Sequence, residues 1–96
     1  MSDEAKLTLD DTVAMSRLYR LQWEEAQKCF VLLYPEGMVK LNQSSGEILR
    51  RVDGTGAIQK LVADLEATFN EKDLKADVLA FLEVAYANGW IRTAGG

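Results

Sequence analysis

Few side chains in this 96-residue chain could carry out covalent chemistry. Histidine is absent, which removes the usual general base and the commonest metal ligand. The one cysteine, Cys29, cannot alone supply a zinc or iron–sulfur ligand set. No paired carboxylates, nucleophile–base pair or phosphate-binding loop stand out. We therefore predict that the protein is not an enzyme and that it holds no catalytic residue, metal or cofactor.

The groups that could still bind a partner are backbone N–H and C=O groups. They stand out in one stretch, where two apolar runs flank the turn Pro35–Gly37. Proline presets φ at the first corner of a turn and glycine tolerates positive φ at its exit, so the pattern predicts a β-hairpin. The first run, Cys29–Leu33, is apolar on both faces, as a central strand is. The second, Met38–Leu41, is shorter and carries a lysine, which favours an edge strand. An edge strand leaves N–H and C=O groups without partners and can recruit another strand.

Apolar periodicity predicts the elements that position this hairpin. Alternation over Arg17–Trp23 indicates a further strand, which completes a three-stranded antiparallel meander. Ser44–Glu47 matches a capping box and indicates that a helix starts there. Three apolar stripes at helical spacing follow: Ile48, Leu49 and Val52; Ile58, Leu61, Val62, Leu65 and Phe69; and Leu74, Val78, Phe81, Leu82, Ala85 and Tyr86. Three strands followed by three helices form a segregated α+β fold with a winged-helix-like layout.

One domain is predicted over residues 17–92, with an arm or tail over 1–16 and a C-terminal tail over 93–96. A helix over Asp10–Met15 is an alternative for part of the arm. Large aromatic side chains in small domains usually belong to the core, so Trp23 and Trp90 are expected there. Cys29 is expected to be a small buried hydrophobe.

Charge and hydropathy restrict the partners. The net charge of −4 disfavours nucleic acid, whose phosphates require a basic surface. The sequence contains no run of 18 apolar residues, so no membrane span is predicted. The acidic segment Met1–Lys6 does not resemble a secretory signal. A single cysteine is typical of a reducing compartment, so we expect a cytoplasmic protein.

Several segments together resemble the PqqD family (pyrroloquinoline quinone biosynthesis protein D). Residues 32–42 read LLYPEGMVKLN, similar to the family signature LLxPEGxxxLN. Ile48-Leu49 followed by Asp53-Gly54 is similar to its IL…DG segment. Asp77-Val78 with Phe81-Leu82 resembles its DVxxFL helix, and Gly89-Trp90 follows near the end. The resemblance covers about Arg17 to Ile91.

The resemblance implies a non-catalytic peptide chaperone whose recognition domain spans residues 17–92. Such proteins hold the ribosomal precursor peptide of pyrroloquinoline quinone and present it to a radical S-adenosylmethionine (SAM) enzyme. In related domains the peptide adds as a strand to the sheet edge and lies against the third helix. Backbone hydrogen bonds then give affinity and side-chain pockets give register. The implied contact residues are Met38, Val39, Lys40 and Leu41 on the strand and Asp77, Val78, Phe81 and Leu82 on the helix.

Other readings stay open at this stage. A winged-helix-like layout also suits an acidic DNA-binding protein, and a small domain could be a carrier for the finished quinone. A homodimer could pair two strand edges across a two-fold axis and cover the edge that a peptide needs. The substitution Val39→Pro is expected to weaken peptide binding more than stability, because it removes one donor from an edge strand.

Overall fold

The computed structural model describes residues 7–94, so the predicted N-terminal segment Met1–Lys6 and the last two residues of the predicted tail lie outside the described residues. The elements in chain order are β1 (Val13–Met15), β2 (Arg20–Glu24), β3 (Cys29–Tyr34), β4 (Gly37–Lys40), α1 (Gln43–Leu49), α2 (Ile58–Phe69), α3 (Lys75–Ala87) and β5 (Ile91–Thr93). The predicted α+β class, with a three-stranded meander followed by three helices, is confirmed. The short pair β1 and β5 was not predicted.

The three-stranded sheet has the antiparallel order β2-β3-β4, with the predicted central strand in the middle. The turn between β3 and β4 contains only Pro35 and Glu36, because Tyr34 pairs directly with Gly37. Side chains alternate between the two faces of the sheet. Leu32, which is fully buried, shares the inner face with Val39, and Leu33 shares the outer face with Met38.

Residues 7–16 pack against the rest of the fold instead of extending as a tail. Leu7 and Val13 are buried in the core, and β1 pairs antiparallel with β5. The helix considered for Asp10–Met15 is wrong, since Val13–Met15 is a strand. After α3, β5 includes Thr93, the first residue of the predicted C-terminal tail.

The first helix begins two residues earlier than the capping box indicated. Asn42 is the N-cap, and its side-chain oxygen accepts a hydrogen bond from the Ser45 N–H at 2.8 Å. Asparagine is among the best N-cap residues, so it takes the position that the sequence pattern gave to Ser44. Within α1, Gly46 allows close approach to β3, because a Cβ there would lie 2.7 Å from Cδ2 of Phe30.

The N-terminal arm also caps α2. This helix begins after Ala57, whose side chain has no capping group, so the orphan N–H groups of its first turn need other acceptors. Ile58 N–H donates to the carbonyl of Asp11 at 2.8 Å, and Gln59 N–H donates to that of Leu9 at 3.0 Å. The helix ends at Asn70, which adopts the left-handed conformation.

A loop over residues 50–57 joins α1 to α2. The Asp53 carboxylate accepts hydrogen bonds from the Thr55 hydroxyl at 2.8 Å and from the Thr55 N–H at 3.0 Å. These two hydrogen bonds hold the pKa of Asp53 below its ordinary value, because they stabilise the charged form.

The core lies between the inner face of the sheet and the three helices. The most deeply buried large side chains of this core are Leu32, Leu49, Ile58, Leu82 and Ile91, whereas Val31, which is also buried, pairs with Lys40 and lies on the outer face of the sheet. Trp90 packs against this core, as predicted, but the prediction for Trp23 is wrong, since its side chain is 46% exposed. Trp23 lies near the end of β2, where its ring packs edge-on against the ring of Phe30, with 5.0 Å between the ring centroids. None of the helices between residues 7 and 94 is long and apolar enough to cross a lipid bilayer.

Candidate functional site

One side of β4 has no neighbouring strand among residues 7–94, because β4 pairs only with β3. The phase of the β3–β4 ladder determines which backbone groups point outward. Leu41 N–H donates to the carbonyl of Phe30 at 3.0 Å, and these two residues continue the register directly. Hydrogen-bonded pairs alternate with non-hydrogen-bonded pairs in an antiparallel ladder, so Val39 also bonds to β3.

The backbone N–H and C=O groups of Met38 and Lys40 therefore point away from the sheet. We call this row of groups the β4 edge. A guest strand could accept from two N–H groups and donate to two carbonyls there. The groups of Val39 lie on the opposite side of the strand, in the ladder with Leu32.

The strand residues predicted as contacts differ in exposure. Met38 is 51% exposed and Lys40 is exposed, and both side chains stand on the outer face of the sheet. Val39 is half-buried on the inner face, and Leu41 is buried in the core. A guest at the β4 edge can thus reach the side chains of Met38, Val39 and Lys40. The side chain of Leu41 packs in the core and anchors the end of the strand there.

The predicted residues of α3 divide in the same way. Val78 and Leu82 are buried, at 3% and 0% exposure, so both belong chiefly to the core. Asp77 is exposed in the first turn and Phe81 is half-buried. Asp77 and Phe81 are four residues apart and lie on the same side of the helix, so this shoulder is the part of α3 that a ligand could contact.

The opposite shoulder of α3 is covered by the N-terminal arm. Leu7 N–H donates to the Glu83 carboxylate at 3.2 Å, and Leu7 itself is buried. Leu9 lies in a shallow depression that it shares with Lys75 at the start of α3. The arm therefore leaves the Asp77 shoulder as the more accessible side of the helix.

A cleft of about 370 Å³ opens beside Asp77, between the start of α1, the end of α2 and the start of α3. We call it the helical cleft. Ile48, Leu65 and Val78 line it with apolar surface, and Phe69 adds an aromatic ring that is 39% exposed. The sequence did not single out this cleft, because Leu65 and Phe69 belong to an apolar helical stripe that indicates only core packing.

Arg51 fixes α1 to α2 beside the helical cleft. Its guanidinium bonds to the carboxylates of Glu47, at 2.8 Å, and Asp64, and its side chain is only 15% exposed. Burial disfavours the charged guanidinium, but the two carboxylates outweigh this effect, so the pKa of Arg51 is raised. The pairing also holds Glu47, which lines the cleft, in place.

The remaining chemistry-bearing groups do not gather into a site. In the part of the chain that the structure describes, no group of three His, Cys, Asp or Glu residues could hold a metal ion. Cys29 is half-buried at the start of β3, not fully buried as expected. The most distinctive arrangement is therefore the β4 edge together with the helical cleft.

The fold as a whole is similar to that of a solved structure. The solution NMR structure of the PqqD truncation of Methylobacterium extorquens PqqCD, described as a stand-alone recognition element for ribosomally synthesized and post-translationally modified peptides (RiPPs), is similar with a TM-score of 0.78. The likeness covers 95% of this chain and 99% of that chain at 23% sequence identity. The protein therefore has the fold of a RiPP recognition element.

Sequence comparison identifies the family within that class. The family model for coenzyme PQQ synthesis protein D (PqqD) matches residues 29–91. The PqqA binding protein of Azotobacter vinelandii is 52% identical over 88 residues, covering 91% of this chain and 96% of that protein. The PqqA binding protein of Pseudomonas aeruginosa is 53% identical over 85 residues, covering 88% and 92%. The chain belongs to the PqqD family, and the predicted resemblance is confirmed.

Proposed function

We propose that this protein binds the PqqA precursor peptide by strand addition at the β4 edge and presents it to a radical SAM enzyme in the biosynthesis of pyrroloquinoline quinone. The names of its relatives and its recognition-element fold support peptide binding. The observation that carries the proposal is the outward row of N–H and C=O groups at Met38 and Lys40. Strand addition uses such a row for affinity and takes specificity from neighbouring pockets.

The burial pattern refines the proposed contacts. Met38 and Lys40 supply backbone hydrogen bonds to the peptide, and Val39, Asp77 and Phe81 supply side-chain contacts. Leu41 and Leu82 act from the core, where they hold the strand and the helix in position, and Val78 is buried at the wall of the helical cleft.

The proposal makes the protein a non-catalytic partner. The absence of histidine from the sequence agrees with this role. Crosslinking of the peptide is assigned to the radical enzyme, which carries its own iron–sulfur clusters. Because the precursor is made on ribosomes, we place the encounter in the cytoplasm.

A homodimer is compatible with this proposal if it uses the other edge of the sheet. The other outer strand is β2, which pairs only with β3 within the described residues. Exposed apolar side chains lie beside it, namely Trp23 at 46% and Leu18 at 68%. A pairing of two β2 edges would leave the β4 edge accessible to peptide, and the mass in solution with and without PqqA tests it.

The direct test is a nuclear magnetic resonance titration of ¹⁵N-labelled protein with synthetic PqqA. The amide signals of Gly37 to Asn42 and of the Asp77 shoulder are expected to shift, because new hydrogen bonds form at the β4 edge. A scrambled PqqA peptide of the same composition serves as the control, and duplex DNA tests the alternative of nucleic-acid binding. If PqqA at high concentration leaves Gly37 to Asn42 unshifted, the proposal is wrong.

A further inference from the structure

The helical cleft has the size and lining of a side-chain pocket. Its volume of about 370 Å³ is at the lower end of the range of about 300–1,000 Å³ for ligand sites, so it suits one or two side chains better than a whole cofactor. Ile48, Leu65 and Val78 form its apolar wall, and the exposed ring of Phe69 flanks it. Such a lining favours an apolar or aromatic group.

The helical cleft is close to the β4 edge along the chain. Gln43, the first residue of α1, lines the cleft and follows Lys40 by three positions. Three residues span at most about 10 Å even when fully extended. A peptide strand that pairs with Lys40 and continues past the end of β4 therefore comes within a few residues of the cleft.

The charges at the cleft have one sign. Glu47, Glu71 and Asp77 line it, whereas no lysine or arginine among residues 7–94 does so. Arg51 already pairs with Glu47. Glu71 and Asp77 are exposed and form no ion pair with any residue of the described part of the chain. An approaching segment that carries Lys or Arg would thus be attracted, and an acidic one would be repelled.

We propose that the helical cleft is a specificity pocket that receives one large apolar side chain of the strand-bound peptide, from a segment that also carries Lys or Arg. The inference rests on the proposed function, since it assigns the occupant to the peptide that pairs with the β4 edge. The apolar wall supplies binding energy, and the acidic rim selects the charge of the flanking residues. Together they fix the register that backbone pairing alone leaves unspecified.

The test follows the side-chain signals of the cleft and the amide signals of the edge in one titration with PqqA. The Ile48 and Leu65 methyl signals are expected to shift together with the amides of Met38 and Lys40. Each large apolar residue of PqqA is then replaced by alanine in turn. One replacement should abolish the methyl shifts and weaken binding roughly tenfold or more, while shifts at the β4 edge persist at higher peptide concentration.

The charge rule is tested with Asp77→Lys, which reverses one rim charge. The affinity of this variant for PqqA should fall. A PqqA variant with its Lys and Arg replaced by glutamine should bind the Asp77→Lys variant and the unmodified protein with equal affinity. Asp10→Lys is the matched control, because it makes the same charge change at an exposed position outside the cleft lining, and it should leave affinity within about twofold. The amide spectrum reports whether each variant is folded, and Asp77→Asn replaces Asp77→Lys if the lysine disturbs α3.

The outcomes separate the two proposals. Shifts at Met38 and Lys40 without shifts at Ile48 and Leu65 would overturn the specificity pocket and keep strand addition. Equal losses for Asp77→Lys and Asp10→Lys would overturn the charge rule. The absence of shifts at both the edge and the cleft would overturn strand addition and the pocket together.

Discussion

Replacing Lys40 with proline tests whether the outward backbone groups of β4 bind the peptide. Proline has no N–H, so the substitution removes one of the two outward donors of the β4 edge. That N–H faces away from β3, and an edge strand tolerates proline where the N–H side faces solvent. The fold is therefore expected to survive, whereas the peptide loses a backbone hydrogen bond.

The expected loss follows from the cost of an unpaired carbonyl on the guest strand. A backbone group that is buried without its partner costs about 1–3 kcal/mol. The dissociation constant for PqqA should rise roughly five- to 150-fold, at about 1.4 kcal/mol per factor of ten. Isothermal titration calorimetry measures this change, and urea unfolding of the same sample measures stability.

Two further variants make the experiment specific. Lys40→Ala removes the side chain but keeps the N–H, so its affinity for PqqA should stay near that of the unmodified protein. Val39→Pro removes an N–H that bonds to Leu32 within the sheet, so it should lower the free energy of unfolding more than Lys40→Pro does. Strand addition at Lys40 is refuted if folded Lys40→Pro binds PqqA with unchanged affinity, or if Lys40→Ala loses as much affinity as Lys40→Pro.

Three other predictions concern stability. Gly46→Ala should lower the free energy of unfolding by about 1 kcal/mol despite better helix propensity, because the new Cβ would lie 2.7 Å from Phe30, and thermal denaturation gives the sign. Arg51→Ala should lower the free energy of unfolding in urea by roughly 1–3 kcal/mol. Arg50→Ala should lower it by less than about 1 kcal/mol, because the Arg50 side chain is 53% exposed. Equal losses for the two variants would contradict the role given to the α1–α2 pairing. The pKa of Asp53 is lower in the folded protein than in the unfolded chain. The ionised carboxylate therefore adds to the free energy of unfolding above the unfolded pKa of about 3.9, and this stabilisation is lost as the pH falls through the folded pKa. Asp53→Ala should therefore weaken the acid dependence of stability below about pH 4, and an unchanged acid limb would contradict this assignment.

The sequence was most informative where periodicity and turn chemistry agree. The Pro35-Glu36-Gly37 turn, the apolar central strand and the stripe of α2 each predicted the correct element. The first helix started earlier than predicted because Asn42 competes with Ser44 as an N-cap, and both residue types favour that position. The pair β1–β5 escaped prediction because three-residue strands are too short to show a period.

The candidate site was predicted only in part, for two physical reasons. Sequence alternation shows which side chains share a face, but it does not show which N–H groups point outward. The hydrogen bond from Leu41 N–H to the Phe30 carbonyl sets the phase of the ladder, so the proline substitution that spares the sheet is at Lys40 and not, as predicted, at Val39. In addition, an apolar stripe does not separate core positions from a pocket wall. Leu82 was therefore predicted as a peptide contact although it is fully buried, and Phe69, which lines the helical cleft, was not predicted as a contact.

The antiparallel pair β1–β5 ties the segment before β2 to the segment after α3. Val13 is the direct partner of Thr93, and Ala94 N–H donates to the carbonyl of Thr12 at 2.7 Å. Truncation of the chain before Ile91 would therefore remove the only strand that pairs with β1 among residues 7–94 and leave the hairpin that carries Met38 and Lys40 intact.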